Sequence, residues 1–287
     1  MSSTRHIKSR IRSVKSNKQI TKAMEMVAAS KLRRAQDATI QTRHYANSAL
    51  ELLNALSGLT DVKESEFFHV RAIKTRLYIL ITSDRGLAGA YNGNALKVFS
   101  EQVKKDHSDG IKTRVICVGR KGAQYAVRLK DVEIDGVYEI PENVEAVHIR
   151  PILFAVVDFY QKKMVDAVSI VTTHFVNSFT QTAVLSPMLP AGFAEVAVPR
   201  TVSSAIFEPS VEEVLEYASV RLIEAQLYQS VLEATASEHA MRRAAMKNAS
   251  DNATDIIDDL TLEMNKVRQA SITNELSEIS AGVEAMK

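Results

Sequence analysis

The chain has 287 residues, a formal net charge of +2 and one cysteine, Cys117. That balance does not by itself call for nucleic acid or an anionic membrane, and a lone cysteine excludes an internal disulfide and fits a reducing compartment. Hydrophobic residues make up 46%, enough for a sizeable core, yet tryptophan is absent and aromatics reach only 6%, low for a chain that packs as a globule along its whole length.

"MSSTRHIKSR" has no apolar h-region, so no signal peptide is expected, and no run approaches the roughly 18 apolar residues of a membrane span. The chain is expected to be soluble, or to meet a membrane only through a partner. Residues 1–57 contain neither proline nor glycine. Proline costs about 3 kcal/mol inside a helix and glycine about 1 kcal/mol, so this stretch predicts one long helix. Its apolar residues step by four and three at Ile7, Ile11 and Val14, and again at Ile20, Met24 and Val27. The seam then thins to Ala28, Leu32, Ala35, Thr39 and Thr42, and thickens at Ala46, Ala49, Leu53 and Leu56.

The middle, 58–209, holds all six prolines and nearly all the glycines. Strand 77–81 leads through "SDRGLAGAYNGN" (83–94) to a helix over 94–105. Strand 114–118 leads through "GRKG" to a helix over 121–130. A helix over 144–163 and a strand over 167–172 follow, with a further strand over 184–189. Apolar β-rich runs alternating with helices predict a mainly parallel sheet in three layers.

From Ser210, which can cap a helix with Glu213 completing a capping box, no breaker appears before Gly282. This stretch predicts a helix about 108 Å long. Val211, Leu215, Ala218, Leu222 and Ala225 form one stripe, widened by Val214, Leu227 and Val231. Residues 233–255 contain no leucine, isoleucine or valine, and spacing resumes at Ile257, Leu260, Met264 and Val267. Helices this long need a partner along most of their length. The expected fold is therefore α/β: a long antiparallel coiled coil of the N- and C-terminal helices (1–57 and 210–287) around a central three-layer, Rossmann-like domain (58–209). Two separate bundles are the alternative, but the short loops they need are missing.

A strand, glycine loop and helix invites a phosphate. The glycines, however, are Gly86, Gly89 and Gly93, matching neither G-x-G-x-x-G nor the P-loop spacing. Asp84 would repel an anion at the loop entrance. The expectation is a tight turn that lets helix and strand pack closely. The histidines show no metal spacing, Cys117 falls in a buried strand, and His174 and Ser178 lack a third partner. No catalytic constellation, metal site or cofactor site emerges.

The first helix is strongly basic. Eleven cations from Arg5 to Arg43 face only Glu25 and Asp37. Nucleic acid, anionic lipid, an acidic protein partner or a plainly solvated face would each fit, the first two without aromatic interleaving or a strong apolar face to support them. "SEHAMRRAAMK" (237–247) places arginines on an alanine and methionine rod, suited to contact on several sides in turn.

Three long stretches then carry a resemblance: "QITKAMEMVAASKLRRAQ" (19–36), "TSDRGLAGAYN" (82–92) and "NKVRQASITNELSEI" (265–279). Together they closely resemble the gamma subunits of F-type ATP synthases, in a bacterial form. The resemblance implies a non-catalytic rotor subunit. Its two terminal helices would form a shaft inside the ring of alpha and beta subunits. Its α/β domain would form a foot on the epsilon subunit and the membrane c-ring. Torque would pass from the proton-driven ring to the catalytic sites on beta. It implies no cofactor, no nucleic-acid partner and a peripheral place on the cytoplasmic side of the cell inner membrane, reached only through the c-ring. Residue by residue, Met24, Lys31 and Arg34 match the region meeting the acidic lever of beta. Arg242, Arg268, Gln269 and Thr273 match contacts with the catch loops of the alpha–beta ring. Phe207 and Glu208 match the foot segment facing the c-ring, although the family often has tyrosine at Phe207. It also often has cysteine at Ala88. A coiled-coil adaptor binding nucleic acid or an acidic protein through the basic helix is the competing reading.

Overall fold

Nothing interrupts the helix α1 (Thr4–Ser57), as its lack of proline and glycine requires. In the computed structural model, residues 4–57, 66–191 and 211–284 are described, with side chains for 4–52, 66–191 and 216–282. Among the buried and half-buried positions of α1, one line runs 7, 11, 14, 18, 21, 25, 28, 32, 35, 39, 42, 46 and 49. That is an unbroken alternation of four and three, the period of a helix facing one partner. The sequence stripe through Ile20 and Val27 is corrected here, because both side chains are more than half exposed. The seam passes instead through Lys18, Thr21 and Glu25, whose polar ends conceal it from a count of apolar residues. Their aliphatic stems can lie along the seam while the heads reach water.

Five strands follow in the middle of the chain. They are β1 (Thr75–Ile81), β2 (Lys112–Val118), β3 (Val132–Tyr138), β4 (Ala167–Phe175) and β5 (Gln181–Leu189). The sheet order is β3-β2-β1-β4-β5. All neighbours are parallel except β4 with β5, which pair antiparallel across a short connection. The helices between them are α2 (Tyr91–Ser108), α3 (Arg120–Ala126) and α4 (Ala146–Gln161). Strand β1 shows why the sheet needs cover on both sides. Leu77, Ile79 and Ile81 pack in one cluster with Ile149 and Val156 of α4 and Leu227 of the last helix. Tyr78 and Leu80 pack in another with Ala95 and Phe99 of α2 and Ala126 of α3. Each fully buried aliphatic side chain contributes about 1.5–3 kcal/mol, so β1 anchors both layers.

Two expectations need correction. The predicted helix over 121–130 stops at Ala126, and its end is tied by Val127, Arg128 and Leu129 amides to carbonyls three or four residues back. Strand β3 is absent from the sequence reading. Its run "VEIDGVY" is broken by Asp135 and Gly136, it lies at the sheet edge, and its pairing with β2 shifts register at Val115/Ile116.

The last helix, α5, runs Val211–Glu284. The capping residues Ser210 and Glu213 lie outside the described side chains. Two compact units emerge, Met1–Ala28 with Arg242–Lys287, and Ala29–Met241. In the second, α1 and α5 pair antiparallel: Leu32 and Ala35 cluster with Ala236 and Ala240, while Thr42 and Arg43 reach Gln229 and Glu233. Here α5 is buried on most sides between 222 and 240. In the first unit α5 buries one face only, at Met246, Ser250, Ala253 and Leu260, and from 268 to 282 it is exposed all round.

Candidate functional site

The 83–94 loop is closed by its own side chains. The Ser83 amide donates to Asn92 Oδ1 at 3.0 Å, and Asn92 Nδ2 donates to Ser83 Oγ at 2.7 Å. Ser83 Oγ in turn donates to the Arg85 carbonyl at 2.7 Å. Gly89 takes φ 58° and Leu87 takes φ 62°, which makes the turn. Asp84 Oδ1 accepts from the Arg120 amide at 3.0 Å, at the first residue of α3. A helix's first free amides are where an anion would bind, and here the protein's own carboxylate takes one.

The close strand–helix approach expected of this loop belongs to other glycines. A Cβ on Gly86 or Gly93 would meet nothing within 4 Å. At Gly119, with φ +95°, it would lie 2.2 Å from the Thr82 carbonyl oxygen, and at Gly122 it would lie 2.9 Å from Thr82 Oγ1. The Gly122 amide donates to Thr82 Oγ1 at 2.8 Å. "GRKG", rather than the 83–94 loop, therefore packs α3 against β1. Cys117 is fully buried, and burial pushes its thiol up to about 12, so it is not thiolate at neutral pH. Among the described residues no group of His, Cys, Asp and Glu could hold a metal ion, and no helix is long and apolar enough to cross a membrane.

The helix positions singled out by resemblance divide into separate places. Met24 is half-buried on α1 in the first unit. In the second unit, Lys31 Nζ lies 2.7 Å from Glu142 Oε1 on the connection between β3 and α4. The hydrogen bond from Lys31 holds the Glu142 carboxyl below its ordinary value, against the opposing effect of burial, with the fields of Lys31, His239 and Arg34 assisting. So Lys31 pairs with Glu142, with Arg34 acting on that carboxylate only through its field, a partnership the sequence did not suggest. Arg242 is half-buried, whereas Arg268, Gln269 and Thr273 are exposed on one stretch of α5, Thr273 Oγ1 donating to the Gln269 carbonyl at 2.9 Å. Phe207 and Glu208 lie outside the described residues.

A further constellation escaped the sequence reading. His174, set beside Ser178 there without a third partner, meets Glu233 through Nδ1. Arg43 reaches the other oxygen of that carboxylate at 3.3 Å. Ser178 is not part of it and instead accepts from Gln36 Nε2 at 3.2 Å. These residues are far apart in sequence, so no local spacing signals them.

With the two long antiparallel helices, the mainly parallel sheet and the closed loop established, similarity to known proteins becomes informative. A family model described as ATP synthase matches residues 3–286. The ATP synthase gamma chain of Moorella thermoacetica is 38% identical over 291 residues, covering 100% of both chains. The chain belongs to the ATP synthase gamma chain family. The gamma chain of Roseiflexus castenholzii is 39% identical over 288 residues, with 100% of this chain and 99% of that one covered. Among solved structures, the Tetrahymena thermophila mitochondrial ATP synthase central stalk and c-ring contains a chain with a TM-score of 0.61 and 25% identity, over 80% of this chain and 99% of that one. The rotor of the Euglena gracilis mitochondrial ATP synthase gives a TM-score of 0.68 at 20% identity, over 94% of this chain and 98% of that one. The match to gamma chains thus covers the whole of this chain in sequence, and the solved rotor shares its fold over 94% of it.

Proposed function

We infer that this chain is the central-stalk rotor subunit of an F-type ATP synthase, passing torque between a proton-driven c-ring and a ring of alpha and beta subunits. The observation that carries this is the full-length match to gamma chains, in a molecule whose long helices α1 and α5 pair antiparallel beside the α/β sheet within the unit Ala29–Met241. The same observation favours the rotor over a coiled-coil adaptor that binds through the basic helix, because an adaptor has no need of the whole gamma chain architecture.

Three working parts follow: a shaft helix over 1–57, a foot over 58–209 that meets epsilon and the c-ring, and a second shaft helix over 210–287. Met24, Lys31 and Arg34 face the acidic lever of beta. Arg242, Arg268, Gln269 and Thr273 meet the catch loops of the ring, and Phe207 and Glu208 face the c-ring. Catalysis takes place on beta and none on this chain, which sits peripherally on the cytoplasmic face of the cell inner membrane. The physical requirement on such a shaft is to push without sticking. Small side chains between 233 and 255 give a helix pair few deep side-chain contacts to release, while a few charges define the resting orientations. An exposed ion pair contributes about 0–1 kcal/mol, enough to favour an orientation without trapping it.

The test is reconstitution with alpha and beta subunits, a bead on the α/β domain and direct observation under ATP. Unidirectional stepping rotation is expected. Hydrolysis by an assembled complex with a stationary bead would sink the rotor reading.

A further inference from the structure

Four consecutive residues of β4 bond to the helix pair of the second unit. Thr172 Oγ1 donates to the Ser230 carbonyl at 3.1 Å, and Ser237 Oγ donates to the Thr173 carbonyl at 3.2 Å. His174 meets Glu233, and Arg43 Nη2 donates to the Phe175 carbonyl at 3.0 Å. The Glu233 side chain is only 7% exposed and is the hub. It takes Arg43 from α1, His174 from β4 and, at 2.9 Å, Gln229 from its own helix. Gln229 in turn accepts from Thr42 Oγ1 at 2.6 Å. One buried carboxylate therefore ties α1, α5 and the sheet together.

On one side of this hub Val231, Leu232 and Ala234 of α5 belong to the main core with Val168 and Ile170 of β4, and on the other the apolar cluster that reaches α1 is small. That cluster is Leu32, Ala35, Phe175, Ala236 and Ala240, three of its five members alanine. Apolar burial is non-directional and resists separation more than it resists turning or sliding. Hydrogen bonds and ion pairs weaken steeply with misalignment. At this level the directional resistance to twist between α1, α5 and β4 therefore comes from the polar hub.

We propose that Arg43, Glu233 and His174 form a torsional lock: positioning residues that fix the rotational setting of the helix pair on the α/β domain. This rests on the rotor reading, since a lock matters only where torque crosses the joint. Without it the joint has slack. Slack wastes little motion when the rotor turns freely and more when it turns against a load.

The experiment uses the full complex with its c-ring in membrane vesicles and reads protons pumped per ATP hydrolysed at low and at high proton gradient. Arg43→Met keeps the aliphatic stem and removes the donors. Its ratio should stay close to wild type at low gradient and fall about twofold or more at high gradient, the scale of losing a partly exposed ionic contact. Arg43→Lys should fall between, since a point charge cannot span both acceptors. The double variant Arg43→Met/Glu233→Met leaves no unpaired buried charge, and it covers the case in which the single variant does not assemble. It should show the same load-dependent fall. A short bismaleimide between cysteines at Gln36→Cys and Ser178→Cys should restore the ratio, with buried Cys117 unreactive. A purely structural role predicts less assembled complex with an unchanged ratio, and a wild-type ratio at every gradient in both variants overturns the lock. Wild-type vesicles that hydrolyse ATP without pumping would instead overturn the rotor reading on which it stands.

Discussion

Gly119→Ala puts a methyl where the backbone has no room. The residue holds φ +95°, and the new Cβ would sit 2.2 Å from the Thr82 carbonyl oxygen and 2.8 Å from its carbonyl carbon. Neither neighbour can rotate away. The Thr82 amide is bonded to the Val118 carbonyl at 2.8 Å, the Thr82 hydroxyl lies between Val118 and Gly122, and the Gly119 amide is bonded to the Tyr138 carbonyl at 2.9 Å. A non-glycine residue in such a conformation costs about 1–3 kcal/mol, and overpacking a closed site adds about 1–3 kcal/mol. The expected loss is therefore about 2–6 kcal/mol, a large part of the 5–15 kcal/mol typical of a whole domain. Gly86→Ala is the control, because its Cβ meets nothing within 4 Å and its φ is not positive. Its effect should stay within about 0.5 kcal/mol. Hydrogen exchange of β1 and β2 amides in the full chain, measured against denaturant, reads both. Equal destabilisation by the two substitutions would refute the assignment of the close approach to Gly119.

Burial pushes the Glu224 carboxyl up, but hydrogen bonds from Arg150 and Arg221 outweigh it and hold the group below its ordinary 4.5. The stabilisation is thus present above the unfolded value and lost as pH falls through the folded one, so Glu224→Gln should cost about 1 kcal/mol at neutral pH and flatten the loss of stability below pH 4.5, read from denaturation curves across acid pH. Labelled ATP should not bind the isolated chain at the 83–94 loop; binding that disappears in Gly86→Val with the fold intact would contradict this. Cysteines at Thr42→Cys and Gln229→Cys should crosslink within one chain through a short bismaleimide, and intermolecular products alone would argue against the antiparallel pairing. Met24→Lys should lower proton pumping per ATP more than it lowers hydrolysis or assembly, since a new ion pair with the lever of beta would add about 0.2–1 kcal/mol to a contact released at each step, and an unchanged ratio in vesicles would count against that placement.

The sequence disclosed the two long helices because breakers are absent from nearly all of their length, a signal that needs no partner to be read. Strand β1 was equally legible, since burial on both faces demands five apolar residues in a row. Each failure has a physical source. Strand β3 carries Asp135 because Arg114 from β2 pairs with it, its Nε donating to Asp135 Oδ2 at 2.9 Å. The α1 seam carries Lys18, Thr21 and Glu25 because long or small polar side chains can line a seam without closing it to water. Thr21 and Glu25 bond within α1, to the Lys18 carbonyl and to Lys22, whereas Asp135 is tolerated by a neighbour distant in sequence. The same holds for His174, whose partner Glu233 lies on another element. The glycine loop misled for a converse reason: its spacing advertised a backbone constraint that Gly119 and Gly122 carry instead, and only the position of Thr82 reveals it.

Burial along α5 falls in three stages, and the stages bear on how a shaft could be stable. Between 222 and 240 the helix is surrounded, and Ile223, Leu227 and Val231 are almost wholly buried. Between 246 and 267 one face is covered at a spacing of three and four. From 268 to 282 every residue is exposed, yet Ile272, Leu276 and Ile279 remain, spaced four and three, each about half to two-thirds exposed. An isolated helix of this length is marginal in water, and an apolar stripe gives it no reason to persist unless something covers that stripe. Gln269 and Thr273, assigned by resemblance to the catch loops, lie on the same stretch. Under the rotor reading the two facts have one cause. Under it we propose that the end of α5 takes an apolar sleeve supplied by the surrounding ring, with polar residues beside the stripe to make contacts that form and break as the shaft turns. A helix that carried its own cover there would be more stable alone, and would have no face left for the ring to work against.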